Sequence, residues 1–173
     1  MKISFGVILI IVLVLLIASI LSFFWVVLTP RWSFTVTTDK TSYTSTDDIR
    51  FTVTLKNTGY ISQTITSGIT QPVAVWIEVT AENGWWNPAV WDNGRPPNHL
   101  EPANTVFTIL AGNVLTRTFE FNQSLIAQGY KSGPYTIRID AVIPKADTPD
   151  SSYFMEQEHQ LFYAYTQVTA TPS

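Results

Sequence analysis

The residues best suited to chemistry fall in a few places along this 173-residue chain. Glu156, Glu158 and His159 crowd into Met155-Glu156-Gln157-Glu158-His159-Gln160, and two carboxylates with an imidazole form a ligand set for a divalent cation. Read as a strand, this segment puts Glu156 and Glu158 on one face and His159 on the other, so one ion cannot collect all three. The expectation is a solvated charge cluster on an edge strand, with no metal bound. Asp39, Asp47 and Asp48 bracket Thr41, Ser42, Thr44, Ser45 and Thr46. Such carboxylates can hold a cation, but turn-forming chemistry accounts for them without one. His99 is a single imidazole in a Pro-rich stretch, with Asp92, Arg95 and Glu101 nearby in sequence. A proton shuttle there is conceivable, and a plain surface histidine is the simpler reading.

Three of the six Trp (Trp85, Trp86 and Trp91) lie between Ala81 and Asn104, a stretch without strand period and rich in Asn, Gly and Pro. Connections of this length are uncommon and often functional, and Trp carries too much apolar area to be left in water without consequence. Trp85, Trp86, Trp91, Arg95 and His99 are therefore read as a docking loop for a partner protein, a glycan or the membrane face. The competing reading is a lid whose rings fold back over one end of the domain.

Other chemistry is excluded by what the sequence lacks. There is no G-x-S-x-G elbow, phosphate loop, dinucleotide fingerprint or H-E-x-x-H pair. The chain has no Cys, which removes disulfide scaffolds, zinc ribbons, thiol catalysis, iron–sulfur clusters and blue copper. A net charge of −3 with scattered Lys and Arg offers no basic stripe for nucleic acid. No self-sufficient catalytic site is legible and no cofactor is expected in this chain. Any cofactor of a reaction it serves belongs on another chain.

The elements that carry these residues begin with 28 uncharged residues between Lys2 and Arg31. A bilayer core of ~30 Å needs ~20 helical residues, so residues 1–30 are expected to form one uncleaved transmembrane anchor. A secretory signal has a shorter apolar core of ~7–15 residues and a small-residue cleavage site. Phe23, Phe24, Trp25 and Trp32 crowd its far end as an interfacial belt would, and Pro30 stops the helix. Lys2 favours an inside amino terminus, while Arg31 and Lys40 pull the other way. Asn122-Gln123-Ser124 is an N-glycosylation sequon with Asn122 as acceptor. Charged residues are only 13% of the chain, about half of the usual ~25%, while Thr and Ser number 23 and 13. Such a surface keeps its solvation in acid, where few Lys and Arg remain to repel one another. The chain thus reads as a single-pass protein of the cell membrane, with residues 31–173 extracytoplasmic.

Period-2 alternation recurs from Trp32 onward. Ile49–Lys56 alternates apolar with polar positions, as do Val73–Thr80 and Tyr135–Ala141, and each reads as a half-buried strand. Phe34–Thr38, Ile61–Thr66, Val106–Leu110, Leu115–Phe121 and Leu161–Val168 are weaker strands, with Gly112-Asn113 as a hairpin turn. Thr169–Ser173 reads as a tail, and no helix is expected beyond the anchor. About eight short strands separated by turns predict an all-β domain, an immunoglobulin-like antiparallel β-sandwich of two sheets.

In length, anchor (Ile3–Thr29), β-content and sequon, the chain resembles the small subunit of the archaeal thiosulfate:quinone oxidoreductase. That resemblance implies a larger multi-spanning partner subunit, oxidation of thiosulfate to tetrathionate outside the membrane, and electrons passing to a membrane quinone. This chain would stabilise the partner or shape the substrate entrance, and Arg95, Arg117 or Arg138 would assist the dianion electrostatically. Locally, Ile49–Gly59 and Gly133-Pro134-Tyr135-Thr136-Ile137 are similar to immunoglobulin-like modules of the intracellular proteinase inhibitor type and of archaeal envelope proteins. The latter include the sandwich protein tying the archaellum motor to the surface layer. This second resemblance implies a non-enzymatic module that grips an envelope protein through a loop or an open sheet edge.

Overall fold

The computed structural model describes residues 4–44, 47–69, 73–81, 84–86, 102–122, 134–146, 148 and 156–171. The uncharged run folds as helix α1 (Phe5–Leu28), long and apolar enough to cross a membrane. At ~1.5 Å per residue its 24 residues extend about 36 Å, enough for a hydrocarbon core of ~30 Å. None of them is buried against the rest of the protein. Thr29 is already extended, at φ −68° and ψ 122°, because the ring of Pro30 disfavours helical geometry in the residue before it.

Most of the other described residues lie in β-strands. Strands β1 (Trp32–Thr38), β3 (Asp48–Asn57) and β8 (Val114–Asn122) form one antiparallel sheet in the order β1-β3-β8. A second sheet contains β2 (Ser42–Thr44), β5 (Ala74–Ala81), β6 (Gly84–Trp86), β9 (Tyr135–Pro144) and β10 (Gln160–Thr171), in the order β2-β10-β9-β5-β6. Only β2 runs parallel to its neighbour there. Strands β4 (Gln63–Ile69) and β7 (Pro102–Ile109) pair as a separate antiparallel ribbon.

Alternation explains why the sheets face each other. Ile49, Phe51, Val53 and Leu55 of β3 are almost fully buried, and so are Ile137, Ile139, Ala141 and Ile143 of β9. They meet in one core with Val36, Tyr43, Val75, Ile77, Phe119 and Val168. Phe51 and Phe119, opposite each other in register, stack at 5.2 Å. The ribbon adds Ile65 and Ile109. The result is a β-sandwich with the ribbon closing one side. Gly68 permits the closure, since a Cβ there would stand 2.1 Å from the Lys145 carbonyl oxygen.

Several expectations are corrected. Two three-residue edge strands, β2 and β6, join the eight expected. Among the described residues the strands form two larger sheets and a separate two-stranded one rather than two sheets. Thr169–Thr171 continue β10 instead of starting a tail, because β2 pairs with them. Trp32 begins β1 and packs edge-on against Phe162, centroids 5.5 Å apart, so it belongs to the sandwich. The turn at Gly112-Asn113, with Gly112 at φ +76°, does not close a hairpin. It carries the chain from β7 in the ribbon to β8 in the first sheet. Its polar groups are taken by Asn57, whose N–H donates to Asn113 O and whose carbonyl accepts from Gly112 N.

Candidate functional site

A groove of about 640 Å³ runs along the outer side of β10, lined by Arg138, Gln157, Gln160, Leu161, Phe162 and Tyr163. The core takes one set of alternating positions on β9 and β10, so Arg138, Asp140, Tyr163 and Tyr165 share the opposite face. Asp140 is 1% exposed there. Its Oδ1 accepts from Arg138 Nε at 3.0 Å and from the Tyr163 hydroxyl. The Arg138 guanidinium donates to Tyr163 Oη at 2.5 Å and lies 4.6 Å from the Tyr165 ring centroid. Burial opposes the charge on Arg138, but Tyr163 and Asp140 outweigh it and hold its pKa above the ordinary value. Burial, followed by the bond to Asp140, pushes the Tyr163 phenol up. Asp140 thus balances the cation that the sequence offered to a dianion, and the groove presents aromatic rings and amides rather than net charge.

The acidic cluster at one end of this groove departs from its expected geometry. Residues Gln157–His159 form a 3₁₀ turn, and β10 starts only at Gln160. The turn ends the alternation that would have separated His159 from the two glutamates. His159 Nε2 lies 3.6 Å from Glu156 Oε2 and 3.5 Å from Glu158 Oε1. One ligand atom from each of the three falls within 4.8 Å of the others, so these side chains can converge on one cation. Lys145 braces the turn: its N–H donates to His159 O at 2.8 Å and its Nζ to Glu158 O.

At the other end of the sandwich, the Asp residues form a closed turn. Asp39 Oδ1 accepts from Tyr43 Oη at 2.6 Å. Asp47 Oδ2 accepts from Thr44 N at 2.8 Å and Thr44 Oγ1 at 3.0 Å, and Lys40 Nζ sits 3.2 Å from Asp47 Oδ1. The Tyr43 hydrogen bond holds the Asp39 carboxyl low, and the Thr44 backbone bond, followed by Lys40, does the same for Asp47. Burial and then the bond to Asp39 push the Tyr43 phenol up to about 12. The lysine ammonium thus balances the Asp47 carboxylate directly. Asp48 opens β3 as an exposed residue.

Of the docking loop, Trp85 and Trp86 fall in β6, paired in register with Thr80 and Val79 of β5. The stretch therefore opens as an edge strand instead of a structureless loop. Trp91, Arg95 and His99 lie outside the described residues, as do Gln123 and Ser124 of the sequon. Asn122 is the last residue of β8. Arg117 lies on the core-facing side of β8, its guanidinium 5.3 Å from the Phe119 ring centroid. Its Nη1 is buried without a hydrogen-bond partner among the described residues.

Sequence reasoning missed two groups. The Arg138–Asp140 pair was visible as two charges two residues apart on one strand, but Tyr163 joins them only through the β9–β10 register. Asn57, the last residue of β3, is wholly buried. Its Nδ2 donates to Ile61 O at 2.8 Å and Ile109 O at 3.0 Å, and its Oδ1 accepts from Gly59 N at 3.0 Å.

No family model and no curated protein matches this chain. Among solved structures, it is similar to the CARDB domain of a Pyrococcus furiosus protein in complex with di-metal ions. That match has 14% identity and a TM-score of 0.36, over 83% of this chain and 96% of the other. The alkylpurine DNA glycosylase AlkC of Pseudomonas fluorescens is similar at 11% identity and TM-score 0.41, over 82% and 30% of the two chains. Spo0M, a sporulation control protein of Bacillus subtilis, is similar at 14% and 0.39, over 82% and 49%. At these identities and scores the likenesses do not extend to function.

Proposed function

We propose that this chain is a single-pass membrane protein whose immunoglobulin-like sandwich works outside the cell as an accessory binding module. The observation that carries the reading is α1, 24 uncharged and mostly apolar residues of which none is buried by the rest of the protein. An apolar helix left uncovered by its own fold needs lipid to cover it. The groove beside β10 supports binding over catalysis. Its described lining gathers aromatic and amide groups around a charge-balanced pair, with no nucleophile held by a base among those residues. The partner is a protein of the membrane or envelope, and the exposed Tyr163 and Tyr165 rings suit such a contact.

Gentle extraction of native membranes, followed by capture on this chain, tests the reading by what comes with it. Recovery of envelope proteins without redox activity would make it an anchoring module. Recovery of a multi-spanning subunit with thiosulfate-dependent quinone reduction would make it the small subunit of that oxidoreductase, with quinone and cofactor sites on the partner. A chain that comes alone from membranes still containing its neighbours would sink the binding-module reading.

A further inference from the structure

We infer that the end of the sandwich nearest α1 rests on the lipid surface, with the turns at Tyr60 and Leu110 dipping into the headgroup layer. The inference builds on the anchor reading, and the geometry that carries it is covalent first. Helix α1 ends at Leu28 and β1 begins at Trp32. At ~3.3–3.6 Å per residue, that connection holds the sandwich within about 14 Å of the helix end. It is also fastened, since Arg31 O accepts from Thr58 N at 2.9 Å. The Arg31 guanidinium lies 6.0 Å from the Tyr60 ring centroid. Asn57 then ties the 58–61 turn to the 109–113 turn through its bonds to Ile61 and Ile109. Hydrogen bonds thus link the two turns and the anchor exit.

This tied end exposes large apolar side chains among its polar turn residues. Tyr60 is 63% exposed, Leu110 56%, Val114 49% and Leu161 40%. Leu161 belongs to this end because it lines a shallow groove with Pro30, Trp32, Lys145 and Phe162. Exposed Arg31, Lys56 and Lys145 stand among these side chains. Glu156 and Glu158, also here, cluster around His159. Apolar tips flanked by cations match a lipid interface, in which side chains sink ~5–10 Å and Lys and Arg reach the phosphates. The opposite end carries Asp39, Asp47 and Asp48 beside Lys40, which suits water and not anionic lipid.

The native chain has no Cys, so single labels can be placed cleanly. Full-length Leu110→Cys, Tyr60→Cys and Thr41→Cys, each carrying a fluorophore, are reconstituted alone into vesicles of phosphatidylcholine and phosphatidylglycerol. Flotation reports the anchor, and quenching by a lipid-borne quencher reports the seating. The expected result is flotation of all three, with labels at 110 and 60 quenched about threefold or more relative to 41. Flotation with equal quenching at all three sites would overturn the seating while leaving the anchor. A chain that stays in the dense fraction would overturn both.

Discussion

Replacing Asn57 with Ala removes three side-chain hydrogen bonds at once, two donated by Nδ2 to Ile61 O and Ile109 O and one accepted by Oδ1 from Gly59 N. Asn57 is wholly buried, so the abandoned groups do not regain water for free. At ~1 kcal/mol per bond, and more where a buried group stays unpaired, the loss is about 3 kcal/mol. For a domain of roughly 140 residues this lowers Tm by about 10 °C. The assay is thermal unfolding of the full chain in detergent by circular dichroism, with hydrogen exchange at 58–61 and 109–113 as the local readout. Asn57→Asp keeps the acceptor for Gly59 but turns a carboxylate toward two carbonyl oxygens. That environment raises the folded pKa of the new carboxyl. The Asp variant should therefore be most stable below the unfolded value of ~3.9 and lose stability as pH rises through the folded pKa. An Ala variant melting within about 2 °C of the parent, with unchanged exchange at both turns, would refute Asn57 as the tie between them.

Three further outcomes are expected. Arg138→Met leaves Asp140 buried without its cation and should cost about 2 kcal/mol, less than the ~3–5 of a fully buried pair because Arg138 is 36% exposed. Adding Asp140→Asn should restore most of that, as a urea-unfolding double-mutant cycle would show. Gly68→Ala drives a Cβ to 2.1 Å from Lys145 O. Strand β4 or the chain at Lys145 must shift, and the urea midpoint should fall by the equivalent of ~2 kcal/mol. Tyr43, held up to about 12, keeps its proton in the fold after the unfolded phenol has lost it near ~10. Its contribution to stability is complete below that pH and disappears as pH climbs toward the folded value. Alkaline denaturation of Tyr43→Phe should lack this component.

The strands that the sequence makes legible are those whose alternation is enforced by a core on one side, such as Ile49–Lys56 and Tyr135–Ala141. Strands β2 and β6 escaped because three residues are too few for a period, and their pairing depends on β10 and β5, remote in sequence. The Gly112-Asn113 turn is locally indistinguishable from a hairpin. What distinguishes it is remote in sequence: Asn57, 55 positions upstream of Gly112, exchanges backbone hydrogen bonds with Gly112 and Asn113, and β8 pairs with β3 instead of β7. Glu156, Glu158 and His159 were legible as chemistry but not as geometry, since period-2 reasoning carried β10 back through a segment that forms a 3₁₀ turn. The β10 groove was not legible, because Tyr163 reaches Arg138 and Asp140 only once the β9–β10 register is set.

Labelling at Thr41→Cys on intact cells tests the anchored, outward-facing account most directly, because the parent chain offers no thiol. The account predicts that a membrane-impermeant maleimide labels the chain without lysis and that the labelled chain stays with membranes through an alkaline carbonate wash. Labelling that requires lysis, or release of the chain into the wash, would contradict it.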